Sequence, residues 1–244
     1  VCNGFGIPVA HKFGAGDASG VRRIVANMIY LGVGFSLVLT VATSILCKDI
    51  LGWMGTPEAI IDGSYRYIFV IFLGIPTVFL YNLCSAVIRA LGDSKTPLIF
   101  LIISSCLNIG LDLFFIVVLK TDVQGAALAT VISQGVSGIL CLIYMIRKFP
   151  ILHIRGEEWR INRHLIGSLC NMGIPMGLQY SITAIGSVIL QSGTNSLGAE
   201  AVAAVTAANK VGGFLACPTE ALGSCMATWT GQNIGAGKIE RVGQ

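Results

Sequence analysis

Four runs without a charged residue, at positions 24–47, 67–88, 123–146 and 165–199, set the pattern of this chain. Each exceeds the roughly 18 apolar residues that nominate a bilayer-spanning helix, whereas membrane strands are about half as long and alternate between faces. Two further apolar segments carry embedded charge: 97–119 holds Asp112, and 200–234 holds Lys210 and Glu220. The pattern predicts helices over about 24–47, 64–91, 97–119 and 124–146, one from about 165, and one through much of 200–234. Residues 1–13 read as the end of an earlier helix. Within 64–91, Gly74 and Pro76 favour a packing kink, because proline removes one backbone bond. The connector 48–66, with Trp53, Thr56 and Pro57, supplies interface and helix-start residues. Gly125, Ala129, Ser133, Ser137 and Cys141 recur every fourth position, giving their helix one small face that a neighbour can approach closely.

Composition turns this pattern into a class. The 244 residues are 54% hydrophobic and 11% charged, against about 25% charged in an average soluble domain. The chain is therefore expected to be an all-α integral membrane protein. Its net charge of +4 matters less than its distribution. Twelve of the sixteen Lys and Arg residues fall in the connectors 12–23, 89–96, 147–164 and 238–244, which alternate with three on the opposite side. By the positive-inside rule those four connectors are cytoplasmic, in a multi-pass protein of the cytoplasmic membrane. Cations split among short loops make no continuous face for nucleic acid. The eight cysteines show no CxxC pair, and His11, His153 and His164 are isolated, so neither a zinc site nor a disulfide framework is suggested.

Candidate chemistry centres on 89–130. Asp112 lies between LNIGL and LFFIVVL, where a charge costs several kcal/mol, roughly 2.5–3.5 on insertion scales. Asn108 is one helical turn earlier on the same face. After a turn near Thr121 the next helix runs back, which returns Thr130 to the depth of Asp112. A carboxylate, an amide and a hydroxyl thus share one level of a helical hairpin, as a cation or proton site requires. Asn108 and Thr130 also fit simpler roles, a helix-to-helix hydrogen bond and a hydroxyl bonded to its own backbone. Lys210 and Glu220, with Gln179, are candidate cavity residues; the two charges stand too far apart along one helix for direct contact.

An internal repeat bears on architecture. FGAGDASGV at 13–21 recurs as IGAGKIERV at 234–242, an offset of 221 residues, each copy closing an apolar helix. A span order that repeats after six helices implies a transporter of two parallel six-helix halves. The charged segment 147–164, containing GEEW and RINRH, is the natural boundary between them.

Together, the GAGD turn, NLCSAVIRALGDSKTP, LNIGLDLFFI and GAALATVISQ resemble the multidrug and toxic compound extrusion (MATE) family, nearest its DinF-like branch. The resemblance implies a two-lobe fold of six plus six helices, of which this chain covers the end of the second helix through the eighth. Residues 1–149 would form most of the first lobe, 150–164 the linker, and 165–244 the opening helices of the second. It implies an antiporter, not an enzyme, that exports organic and often cationic compounds in exchange for Na⁺ or H⁺. No cofactor is implied beyond the coupling ion, and the partners are small organic substrates and membrane lipids, not nucleic acid. The branch's cation site matches Asn108, Asp112 and Thr130, with Asp112 the metal ligand if the ion is Na⁺. The seventh-helix carboxylate of another branch has no counterpart in QYSIT at 179–183. A lipid-linked oligosaccharide flippase of related architecture is the alternative, and would carry a more cationic cavity. The chain begins inside an apolar segment, VCNGFGIPVA, without an initiator Met. It is expected to be a fragment that inserts but does not couple ion flow to export.

Overall fold

The computed structural model describes residues 2–53, 58–195 and 198–243. Thr56 and Pro57 lie outside the described residues, as does the side chain of Trp53. Nine helices run α1 (Cys2–Gly14), α2 (Ala18–Ile45), α3 (Cys47–Trp53), α4 (Glu58–Leu73), α5 (Ile75–Ala90), α6 (Lys95–Leu113), α7 (Asp122–Lys148), α8 (Arg163–Asn195) and α9 (Ala199–Gly235) among the described residues. Five of them are long and apolar enough to cross a membrane, or six spans if α4 and α5 count as one bent helix.

One expectation needs correction, and another, the kink at Gly74 and Pro76, gains its angle. The segment read as an outer connector is largely helical, because α3 and the start of α4 occupy its two ends. The helix expected over 64–91 breaks at Gly74 into α4 and α5, bent by 41°. Pro76 sits in the first turn of α5, where its missing N–H costs nothing. A side chain at Gly74 would collide with Val131 on α7, so the break falls where two helices meet closely.

The small face of α7 is buried over its whole length, from Gly125 through Ala129, Ser133 and Ser137 to Cys141. Against it pack α4, α5 and α6. Two serine hydroxyls also bind across the α6–α7 contact: Ser104 of α6 donates to the Ser133 carbonyl at 2.8 Å, and Ser137 of α7 donates to the Phe100 carbonyl at 3.2 Å. A tight core of Phe5, Val25, Met28, Val87, Ile88 and Met145 joins α1, α2, α5 and α7 at the connector end.

Charge alternation along the sequence becomes geometry. At one end Lys48 stands 5.5 Å from the Tyr65 ring, and Gly63 lies beside Val123, near Lys120. At the other, Arg89 donates to Asn3, Tyr144 to Asp93, and Arg22 to Glu158. The long cationic connector is folded there into two short 3₁₀ turns, Pro150–Leu152 and Gly156–Trp159.

The repeated turns are alike in detail. Gly16 and Gly237 take left-handed φ of +70° and +71°, which glycine adopts without Cβ strain. Asp17 N–H donates to Lys12 O at 3.1 Å and Lys238 N–H to Asn233 O at 2.9 Å, the six-to-one bond of a Schellman ending in both copies. The two helices these turns close, α1 and α9, also cross each other. A side chain at Gly14 would strike the Gln232 carbonyl, and one at Gly235 would strike the His11 carbonyl. Since 11 and 232, like 14 and 235, differ by the repeat offset, the contact is reciprocal about a local two-fold axis.

Candidate functional site

The hairpin of α6 and α7 is fixed at its connector end by Asp93. That carboxylate accepts from the Lys95 and Thr96 N–H groups at 3.1 and 3.0 Å, from the Thr96 hydroxyl at 2.7 Å, and from Tyr144 of α7 at 2.8 Å. It thereby accepts from two of the orphan N–H donors of the α6 N-terminus. Against the upward push of burial, these bonds hold its carboxyl below the usual range. Tyr81 of α5 adds a bond to the Pro97 carbonyl at 3.0 Å. The GDSKTP motif is thus the anchor that sets the register of α6 against its neighbours.

From that anchor α6 climbs about 25 Å to Asp112 at 1.5 Å per residue. Two residues beyond it the helix widens into a π-helical turn, Phe114–Val118. Such turns change the aim of nearby side chains and are frequent at functional sites. Thr121 closes the hairpin by donating to the Phe115 carbonyl at 2.9 Å.

The hairpin brings together two of the three predicted site residues. Asn108 Nδ2 reaches Thr130 Oγ1 at 3.5 Å, and Thr130 donates to the Ala126 carbonyl one turn back at 3.0 Å. Both simpler roles considered for these residues are therefore realised at once. Asp112, one helical turn from Asn108 along α6, is half-buried, and its Oδ1 is fully buried with no hydrogen-bond partner among the described residues. One turn along α7 from Thr130, Gln134 likewise buries its Oε1 without a partner among the described residues. Its four-residue spacing from Thr130 was the available signal. Buried oxygen acceptors without donors are costly in a dry bundle, and a proton or a cation relieves that cost.

Lys210 and Glu220 on α9 and Gln179 on α8 are all exposed. These two helices pack chiefly on α1, away from the α6–α7 hairpin. The chain does not join them to Asp112.

Five helices long and apolar enough to cross a membrane, six spans with the bent pair, together with a half-buried carboxylate in a hairpin and a duplicated turn, define a multi-pass helical membrane fold. The MatE family model matches residues 1–114 and 175–244, and the chain belongs to that family. Among curated proteins it is 33% identical over 236 residues to the probable multidrug resistance protein YpnP of Bacillus subtilis, covering 96% of this chain and 52% of that protein. It is 29% identical over 249 residues to the probable multidrug resistance protein YoeA of the same species, with 99% and 54% covered. The chain spans about half the length of these relatives. The outward-facing structure of a multidrug resistance MATE family transporter of the MOP superfamily superimposes with a TM-score of 0.91 at 22% identity, over 99% of this chain and 54% of that one.

Proposed function

We propose that this chain is part of the machinery of a cation-coupled exporter of organic compounds, with Asp112 as the coupling carboxylate. The observation that carries the proposal is the fully buried Oδ1 of Asp112, unpartnered among the described residues and one helical turn from Asn108, which itself reaches Thr130. Bound Na⁺ compensates the ionised Asp112 and bound H⁺ neutralises it; when the ion is released, the bundle must rearrange or the charge must find water. Oxygen donors alone suit Na⁺ as a hard cation, and a single carboxylate in apolar surroundings suits H⁺. The relatives named as multidrug resistance proteins favour organic compounds over lipid-linked oligosaccharides as the cargo.

The same reading assigns 1–149 to most of a first lobe, 150–164 to the linker, and 165–244 to the first two helices of a second lobe. It is supported by the matched turns and by the sparse packing of α8 and α9 outside α1 and α2. The connector end then faces the cytoplasm, so a cysteine replacing Arg155 is shielded from external thiol reagents in intact cells. Ready labelling from outside reverses that orientation.

Export of a fluorescent organic cation from cells expressing the encoding gene tests the function. Asp112→Asn is expected to abolish energised export at unchanged membrane abundance. Full export by that variant removes Asp112 from the mechanism.

A further inference from the structure

We propose that the arginine pocket between the 150–164 connector and α2 binds the phosphate headgroup of an anionic phospholipid. The pocket is a cavity of about 400 Å³ lined by Arg23, Glu157, Arg160, Ile161, Asn162 and Arg163. Three guanidinium groups and one carboxylate leave it with an excess of positive charge. Within the described residues the cationic neighbour Arg22 is already paired, 2.7 Å from Glu158. Arg23, Arg160 and Arg163 have no such ion pair there.

The pocket is held open by bonds that leave those guanidiniums unused. Asn27, fully buried in α2, accepts from Asn162 N–H at 2.9 Å and donates to the Arg23 carbonyl at 2.8 Å. Its amide also reaches the Arg160 carbonyl at 3.5 Å. One buried side chain therefore ties together the backbones of three lining residues. Glu158 adds a second tie, accepting from Arg22 and from the Arg155 N–H at 2.9 Å. Asn162 also caps α8, accepting from His164 and Leu165 N–H at 2.9 and 3.3 Å, so the positive end of that helix opens beside the pocket.

The surroundings select a lipid over a soluble anion. Trp159 is 39% exposed and meets Tyr30 edge to face at 5.8 Å, an aromatic pair of the kind that sits at headgroup level. Ile161, 64% exposed, lines the pocket itself. Apolar side chains at the rim fit a ligand that brings acyl chains. Guanidinium forks match phosphate oxygens bidentately, and basic pockets at the membrane surface gain from anionic headgroups.

The test uses the purified chain in phosphatidylcholine vesicles that contain either brominated phosphatidylglycerol or brominated phosphatidylcholine. Quenching is read on the part of the tryptophan emission that Trp159→Phe removes. At about fivefold per unit of charge, the site is expected to prefer phosphatidylglycerol by roughly 25-fold. The paired change Arg160→Gln with Arg163→Gln should bring the preference close to one, Glu157→Gln should raise it, and Arg147→Gln should leave it unchanged. Replacing chloride by inorganic phosphate at constant ionic strength should also leave it unchanged. Equal quenching by the two lipids overturns the proposal, as does a Glu157→Gln variant that shifts nothing. Loss of the preference in inorganic phosphate would assign the pocket to a free anion instead.

Discussion

At the scale of single residues, the most informative atoms are the ones left without partners. Asp112 Oδ1 and Gln134 Oε1 are buried acceptors on the two arms of one hairpin. Gln134→Ala is expected to weaken the apparent affinity for the coupling ion about two- to tenfold, the range of one hydrogen-bonding group. The concentration dependence of energised export on Na⁺ or H⁺ measures it; an unchanged half-saturation point with lowered thermal stability makes Gln134 a packing residue only. The approach of Asn108 to Thr130 was legible in the sequence because helical spacing fixes depth, and Asp112 stood out there because a charge in an apolar run is rare. Gln134 was not legible, since an amide in a small-residue helix reads as polar packing until its neighbours are known. The π-helical turn beside Asp112 was also hidden, because FFIVV carries no breaker residue and its widening depends on the hairpin it closes.

Helices show how close approach and polar straps hold this chain. The crossing of α1 and α9 leaves no space for a Cβ at Gly14 or Gly235, whereas a Cβ at Gly34 meets nothing within 4 Å. Gly14→Ala and Gly235→Ala should each destabilise by about 1–3 kcal/mol as overpacking. Gly34→Ala should be neutral or stabilising by about 0.5–1 kcal/mol through helix propensity. Thermal unfolding in detergent distinguishes them, and equal effects at all three sites would contradict the crossing. Glu158 supplies a pH-dependent strap between the connector and α2. The Arg22 hydrogen bond, then the Arg155 N–H, lower its carboxyl from 4.5 to about 2. Because the folded value is depressed, its stabilisation is complete above about pH 4.5 and is lost as pH falls from there towards 2. Glu158→Gln should therefore melt below the parent at neutral pH, with the gap closing across that acid window; a constant gap would refute the ion pair. The sequence showed the repeat and the small face of α7, both periodic. It concealed the 41° break at Gly74, since Gly and Pro in an apolar run allow a bend without setting its angle, and it concealed the strap, whose partners Arg22 and Glu158 are 136 residues apart.

For the whole molecule, the apolar surface is the decisive quantity. Leu190 and Phe214 are 73% and 80% exposed on α8 and α9, and Val117 on the α6–α7 hairpin is 63% exposed, an arrangement that requires lipid or further helices as solvent. The membership in the MatE family, the five or six apolar spans and the reciprocal turns agree with one another. Span number and charge alternation were readable from one sequence because bilayer thickness sets helix length and loops carry the charge. How the two sets of helices meet was not, because small residues permit many crossings and only three-dimensional packing selects one. The central claim is that ion movement through the Asp112 site drives organic compounds across the membrane. It is tested most directly in proteoliposomes made with the product of the encoding gene, by following a fluorescent organic cation while the direction of an imposed Na⁺ or H⁺ gradient is reversed. The account predicts that substrate flux changes sign with the gradient, and that Asp112→Asn leaves only gradient-independent leak. Flux that ignores the gradient, or that Asp112→Asn preserves, would contradict it.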